Sequence, residues 1–121
     1  MRPKNDTVTI LVAEDEPGLR KMLKLILQTA GYHLMVAEDG CQALQLAKSH
    51  AGGIDMLLSD IQMPGLTGPD LAKELKRSRP ALKVMLMSGC ASNSGLDGEC
   101  RFLRKPFDPN TLLQEVRLTL R

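Results

Sequence analysis

The chain has 121 residues, room for one compact domain with a single core. Hydrophobic residues make up 43% and charged residues 25%, which excludes a disordered chain, and two Phe, one Tyr and no Trp leave the core to aliphatic side chains. A net charge of +2 without a long basic run gives no support to nucleic-acid binding. No apolar run reaches membrane-spanning length and "MRPKND" lacks a signal-peptide centre, so a cytoplasmic location away from any membrane is expected.

Apolar runs alternate with segments of helical period. "VTILVA" (8–13) predicts a buried strand, and residues 16–31 carry Leu19, Met22, Leu23, Ile26 and Ala30 at helical spacing, with Pro17 in the first turn and Gly31 at the end. "HLMVA" (33–37) predicts a second strand, followed by a helix bearing Ala43, Leu44 and Ala47. A third strand is expected at 54–59, then a helix at 68–78 that opens with Pro69 and turns Leu71, Ala72 and Leu75 to one side. "KVMLMS" (83–88) predicts a fourth strand and "RFL" (101–103) a short fifth. A last helix spans 108–120, with Asp108 at its N-cap and Pro109 after it. Continuous apolar strands separated by helices indicate one α/β domain, a doubly wound five-stranded parallel sheet covered on both faces.

In such a sheet, ligands bind beyond the carboxyl ends of the strands. Those ends carry Glu14-Asp15-Glu16, Ser59-Asp60, Ser88-Gly89 and Arg104-Lys105-Pro106. Acids at strand ends can simply cap helices, a role that suits Glu16 and Asp39 but not the whole set. Carboxylates from two strands are hard oxygen donors suited to Mg²⁺ (or Mn²⁺), and a carboxylate beside such a cation can attack phosphorus to give an aspartyl phosphate. A lysine and a hydroxyl nearby would neutralise and hydrogen-bond the phosphoryl oxygens.

"ILVAEDEP", "LLSDIQMPGLTG", "VMLMSG" and "FLRKPF", in this order over almost the whole chain, resemble the receiver domain of two-component response regulators, of the CheY-like superfamily. The resemblance implies the flavodoxin-like (βα)5 receiver fold and a signalling domain, not an enzyme beyond its own phosphorylation and autodephosphorylation. It implies that residues 1–121 form one receiver domain with no output domain in this chain. Carried over residue by residue, Asp60 matches the phosphoacceptor, while Glu14 and Asp15 match the acidic pair that holds the metal. The family commonly has two Asp there. Gln62 matches the position whose backbone carbonyl completes the metal site. Ser88 matches the switch hydroxyl, Lys105 the lysine that contacts the phosphoryl group, Phe102 the aromatic that turns on activation, and Pro106 the cis proline. The expected phosphodonor is a histidine kinase or a histidine phosphotransfer domain; a downstream effector or a homodimer would read the strand-four and strand-five face.

Two other chemistries fit less well. A phosphatase of the haloacid dehalogenase type wants a second acid two residues after its nucleophile, where this chain has Gln62. A flavodoxin-like cofactor binder wants a phosphate-cradling loop after strand one, where this chain has three acids. The alternative that remains is a receiver-like interaction module that signals without phosphorylation. Cys41, Cys90 and Cys100, with His33 and His50, show no zinc spacing and are expected to be free thiols and surface imidazoles. "CASNSGLDGEC" (90–100) lies where receivers place their fourth helix. The stretch is short for that family and rich in Gly, Ser and Asn, so a shortened or irregular fourth helix is expected.

Overall fold

A computed structural model of the chain describes residues 7–89 and 100–121. In chain order the elements are β1 (Thr9–Ala13), α1 (Pro17–Thr29), β2 (His33–Ala37), α2 (Gly40–Ser49), β3 (Met56–Asp60), α3 (Gly68–Ser78), β4 (Lys83–Ser88), β5 (Cys100–Arg104) and α4 (Pro109–Leu120). Each helix begins on a side-chain cap. Glu16 accepts from the Gly18 and Leu19 amides at 2.9 and 2.7 Å, and Asp39 from Gln42 at 2.8 Å. Thr67 accepts from Asp70 at 3.2 Å and Asp108 from Thr111 at 2.7 Å, so amides that lack helical carbonyls are satisfied. Pro17, Pro69 and Pro109 occupy first-turn positions, where a missing N–H costs nothing. Helix α1 stops where Gly31 takes φ +100° and the Gly31 and Tyr32 amides fold back onto the carbonyls of Gln28 and Leu27.

The five strands form one parallel sheet in the order β2-β1-β3-β4-β5. Alternation along the strands splits the core in two. Leu11, Ala13, Leu57, Val84 and Leu86 pack under α2 and α3, against Ala43, Ala47, Leu71 and Leu75. Ile10, Val12, Met56, Leu58, Met85 and Met87 pack under α1 and α4, against Leu23, Leu27, Leu112 and Val116. The doubly wound sheet expected from the sequence is the sheet observed. Because the chain starts in the middle and changes direction after β2, the switch point falls between β1 and β3.

Three strands differ in extent from the sequence reading, β1 only in beginning at Thr9, one residue late. β3 begins at Met56, two residues late, because Ile54 is buried ahead of the ladder and Asp55 ties its own amide to the Thr9 carbonyl at 2.9 Å. The Asp55 carboxylate in turn accepts the Thr9 amide at 2.8 Å. β5 is longer than the apolar triplet, since β4 offers it register partners from Val84 to Ser88. The expectation of a shortened or irregular fourth helix falls on residues 90–99, which include Cys90 and lie outside the described residues. Cys41 is an exposed free thiol and Cys100 a half-buried one. Among the described residues no helix is long and apolar enough to cross a membrane.

Candidate functional site

The switch point is acidic. β1 ends into Glu14, which is fully buried, and Asp15, which is exposed; β3 ends at the half-buried Asp60. One carboxylate oxygen from each of these three lies within 4.8 Å of the others. The neighbouring parallel strands β1 and β3, in register from Ile10↔Met56 to Ala13↔Ser59, bring the carboxylates together from positions 45 residues apart for Asp15 and Asp60. Lys105, just past β5, reaches over the rim. Its Nζ stands 3.1 Å from both Glu14 Oε1 and Asp60 Oδ2.

These contacts set the protonation behaviour of the cluster. Burial pushes the Glu14 carboxyl above its ordinary range; the Glu16 amide hydrogen bond opposes this, the Asp60 charge adds to it, and Lys105 opposes it. For Lys105, burial disfavours the ammonium, but the bonds to Asp60 and Glu14 outweigh that and hold its pKa above the ordinary value. Glu16 is drawn below its ordinary range by the Gly18 and Leu19 amides that it caps, so its carboxylate serves α1 as expected. Three carboxylates against one ammonium leave an excess of negative charge on hard oxygen donors, and the group thus fits a divalent cation such as Mg²⁺.

The remaining residues singled out in the sequence occupy the same rim or its neighbourhood. Gln62 is exposed on the loop two residues after Asp60. Ser88 ends β4 and is half-buried; its carbonyl accepts the Lys105 amide at 2.8 Å, which locks β4 to the segment that carries the lysine. Phe102 is half-buried on β5, opposite Leu86. The Lys105–Pro106 peptide bond is cis.

Two supporting residues escaped the sequence reading. Arg20 sends Nη1 to the Glu14 carbonyl at 2.9 Å and so fixes the peptide that carries Asp15. The available signal was a cation in the first turns of α1, an end of a helix that disfavours positive charge unless an acid stands nearby. Gly68 opens α3 with its Cα against the Asp60 carbonyl, and any Cβ there would collide with that oxygen. Its amide closes the loop by donating to Ile61 at 2.9 Å. A glycine directly after a helix cap, where another residue would serve the helix better, was the only hint.

A sequence profile described as the response regulator receiver domain matches residues 10–117. The chain belongs to this family. Receiver domains are signalling domains rather than catalytic enzymes, and they partner with histidine kinases. Among curated relatives, the sensor kinase CckA of Brucella abortus is 34% identical over 116 residues, which cover 92% of this chain but 12% of that protein. The response regulator receiver protein CpdR of the same organism is 32% identical over 116 residues, 92% of this chain and 95% of its own length. Other curated relatives, transcriptional regulators among them, are matched over about a quarter to a half of their length. The solved structure of the response regulator TrrA from Thermotoga maritima, in complex with Mg²⁺–BeF, superposes with a TM-score of 0.83 at 32% identity, over 94% of this receiver and 100% of that chain.

Proposed function

We propose that this receiver takes a phosphoryl group onto Asp60 from a phosphohistidine on a histidine kinase or a histidine phosphotransfer domain. The observation that carries the reading is Lys105 Nζ held 3.1 Å from both Glu14 and Asp60, beside the exposed Asp15. An Asp60 carboxylate oxygen attacks phosphorus as the phosphorus–nitrogen bond breaks, and the donor imidazole leaves with that electron pair. Glu14, Asp15, Asp60 and the Gln62 carbonyl would hold Mg²⁺ or Mn²⁺, which neutralises charge on the phosphoryl oxygens when bound. Lys105 exchanges its bond to the Asp60 carboxylate for one to a phosphoryl oxygen, and the Ser88 hydroxyl donates to another. With Ser88 drawn toward Asp60, Phe102 turns into the space behind it, which biases the β4–β5 face between two arrangements. That face is what an effector or a second copy would read, and residues 1–121 act together as one receiver unit in a cytoplasmic setting. The rival module that works without phosphorylation would be expected to have lost part of this constellation, and the acids and the lysine are all present.

Incubation with acetyl phosphate and MgCl₂ tests the reading. The wild type is expected to take up label and Asp60→Asn to take up none. Label on folded Asp60→Asn at the wild-type level would remove Asp60 from the role.

A further inference from the structure

The loop from Asp60 to Thr67 carries both the acceptor carboxylate and the Gln62 carbonyl, so whatever fixes this loop fixes the cation site. Its two ends are tied: the Ile61 amide donates to the Met87 carbonyl at 3.0 Å and the Gly68 amide to the Ile61 carbonyl at 2.9 Å. Met63 is buried, and Ile61 and Leu66 pack against the core under α2 and α3. Among the described residues the loop's far side has no backbone tie of this kind. It rests instead on the first turn of α2.

There Gly40, the buried first residue of α2, lies directly against Leu66. A Cβ at position 40 would collide with the Leu66 carbonyl oxygen and would stand 2.9 Å from the Leu66 Cβ and 3.2 Å from its carbonyl carbon. The next turn of the loop, Gly65 at φ +81°, faces the Cys41 sulfur of the same helix start. The wall itself is stiff, since Asp39 caps Gln42 and the Gln42 side chain accepts the Glu38 amide at 2.6 Å. β2, which leads into it, is tied to the site by the Glu14 amide donating to the Ala37 carbonyl at 3.1 Å. A side chain at 40 therefore cannot be absorbed by the helix. It must push Leu66 outward by on the order of 1 Å before ordinary contact distance returns. With Ile61 and Gly68 pinned, that displacement is taken up by residues 62–65.

We propose that Gly40, although it belongs to no strand end and bears no side chain, is a positioning residue for the cation-binding loop. The absence of a Cβ there sets where the Gln62 carbonyl stands relative to Asp15 and Asp60. The proposal rests on the metal-dependent phosphoacceptor reading above and extends it to α2. It predicts that the first turn of α2 and the cation site are coupled through packing, with Gly40 against Leu66 as the main contact and Cys41 beside Gly65.

Titration of ¹⁵N-labelled protein with MgCl₂, followed by amide shifts, tests it without any phosphorylation. Gly40→Ala is expected to shift the amides of residues 61–66 before metal is added and to weaken Mg²⁺ binding about tenfold, the scale seen when a group that orients a metal ligand is disturbed. Val116→Ala, in the core on the other face of the sheet, is expected to lower stability and leave the affinity at the wild-type value. If Gly40→Ala does not fold, Leu66→Ala unseats the same loop from its other side and is expected to weaken binding in the same direction. Unchanged affinity in folded Gly40→Ala, or failing that in Leu66→Ala, overturns the proposal, as does an equal loss in Val116→Ala. A wild type with no saturable Mg²⁺ binding overturns instead the phosphoacceptor reading on which it stands.

Discussion

Glu14 has the least solvent exposure of any charged group at the site, its side chain being 0% exposed beside the Lys105 ammonium. Its carboxyl is held above the ordinary value of 4.5, chiefly by burial and next against the pull of the Glu16 amide. The folded chain therefore binds this proton more tightly than the unfolded chain does. The contribution to stability is fully present below pH 4.5 and is lost as the pH rises through the folded pKa. In urea unfolding, the wild-type midpoint should thus gain on that of Glu14→Gln as the buffer is taken from pH 7 down to 4.5. Glu16 and Asp108, whose pKa values move the other way as caps, are common to both proteins and cancel in the comparison. A midpoint difference that stays flat across that range would mean Glu14 titrates as an open carboxyl. The convergence of Glu14, Asp15, Asp60 and Lys105 could be read from the sequence because each stands at or just beyond the end of a strand, and strand ends in a parallel sheet share one rim. Arg20 could not, because its partner is a backbone carbonyl and leaves no trace in residue type.

At the scale of elements, the ends of α2 are both held from α3 or the loop before it. Its start rests on Leu66. Its finish is closed by Arg79, which donates through Nη2 to the carbonyls of Ala47 and His50 at 3.1 and 3.0 Å, and through Nη1 to that of Gly52 at 3.0 Å. The Ala47 carbonyl also accepts the His50 amide at 3.3 Å, and a guanidinium is the side chain that can reach several carbonyls at once where a helix ends. Arg79→Met should keep the packing of the stem while losing the cap, at a cost of about 1–2 kcal/mol in thermal or urea unfolding. Mg²⁺ affinity should not change, since the finish of α2 lies away from the acids. A loss of both would show that the helix moves as a rigid rod. Among the described residues, helix and strand identities were legible from period and from capping residues. The clamps on α2 were not, because Gly40 with Leu66 and Arg79 with Ala47 are separated by 26 and 32 residues and follow no repeat.

Over the whole molecule, the sheet supplies a rigid base on which like charges are kept close. Met56, Leu57, Leu58, Met85, Leu86 and Met87 are fully buried beneath the rim, so the strands that carry the acids cannot splay to relieve repulsion. A cation that binds only the folded state must then stabilise the entire domain. At a hundredfold excess over its dissociation constant, Mg²⁺ should add about 2.7 kcal/mol, or several degrees in melting temperature. The gain should vanish in a variant with both Asp15→Asn and Asp60→Asn; if scanning calorimetry finds it retained, the ion binds elsewhere. The parallel order of the sheet was readable from alternating strands and helices. The split of its core into two chemically similar halves, one of them rich in Met, was readable only as a pattern of alternate residues, and its partners across the sheet emerged with the fold.

Lys105 has one further consequence. It stands 91 residues from Glu14 and 45 from Asp60, and β5, which delivers it, is not adjacent to β1 in the sheet. Until β5 has docked on β4, Glu14 and Asp60 lack the ammonium that bonds to both. During synthesis, a nascent chain that has emerged only as far as β4 would already bring Asp60 to the rim but not Lys105. Charge balance at the rim therefore waits on β5, and a chain without that strand would hold its acids together without their ammonium.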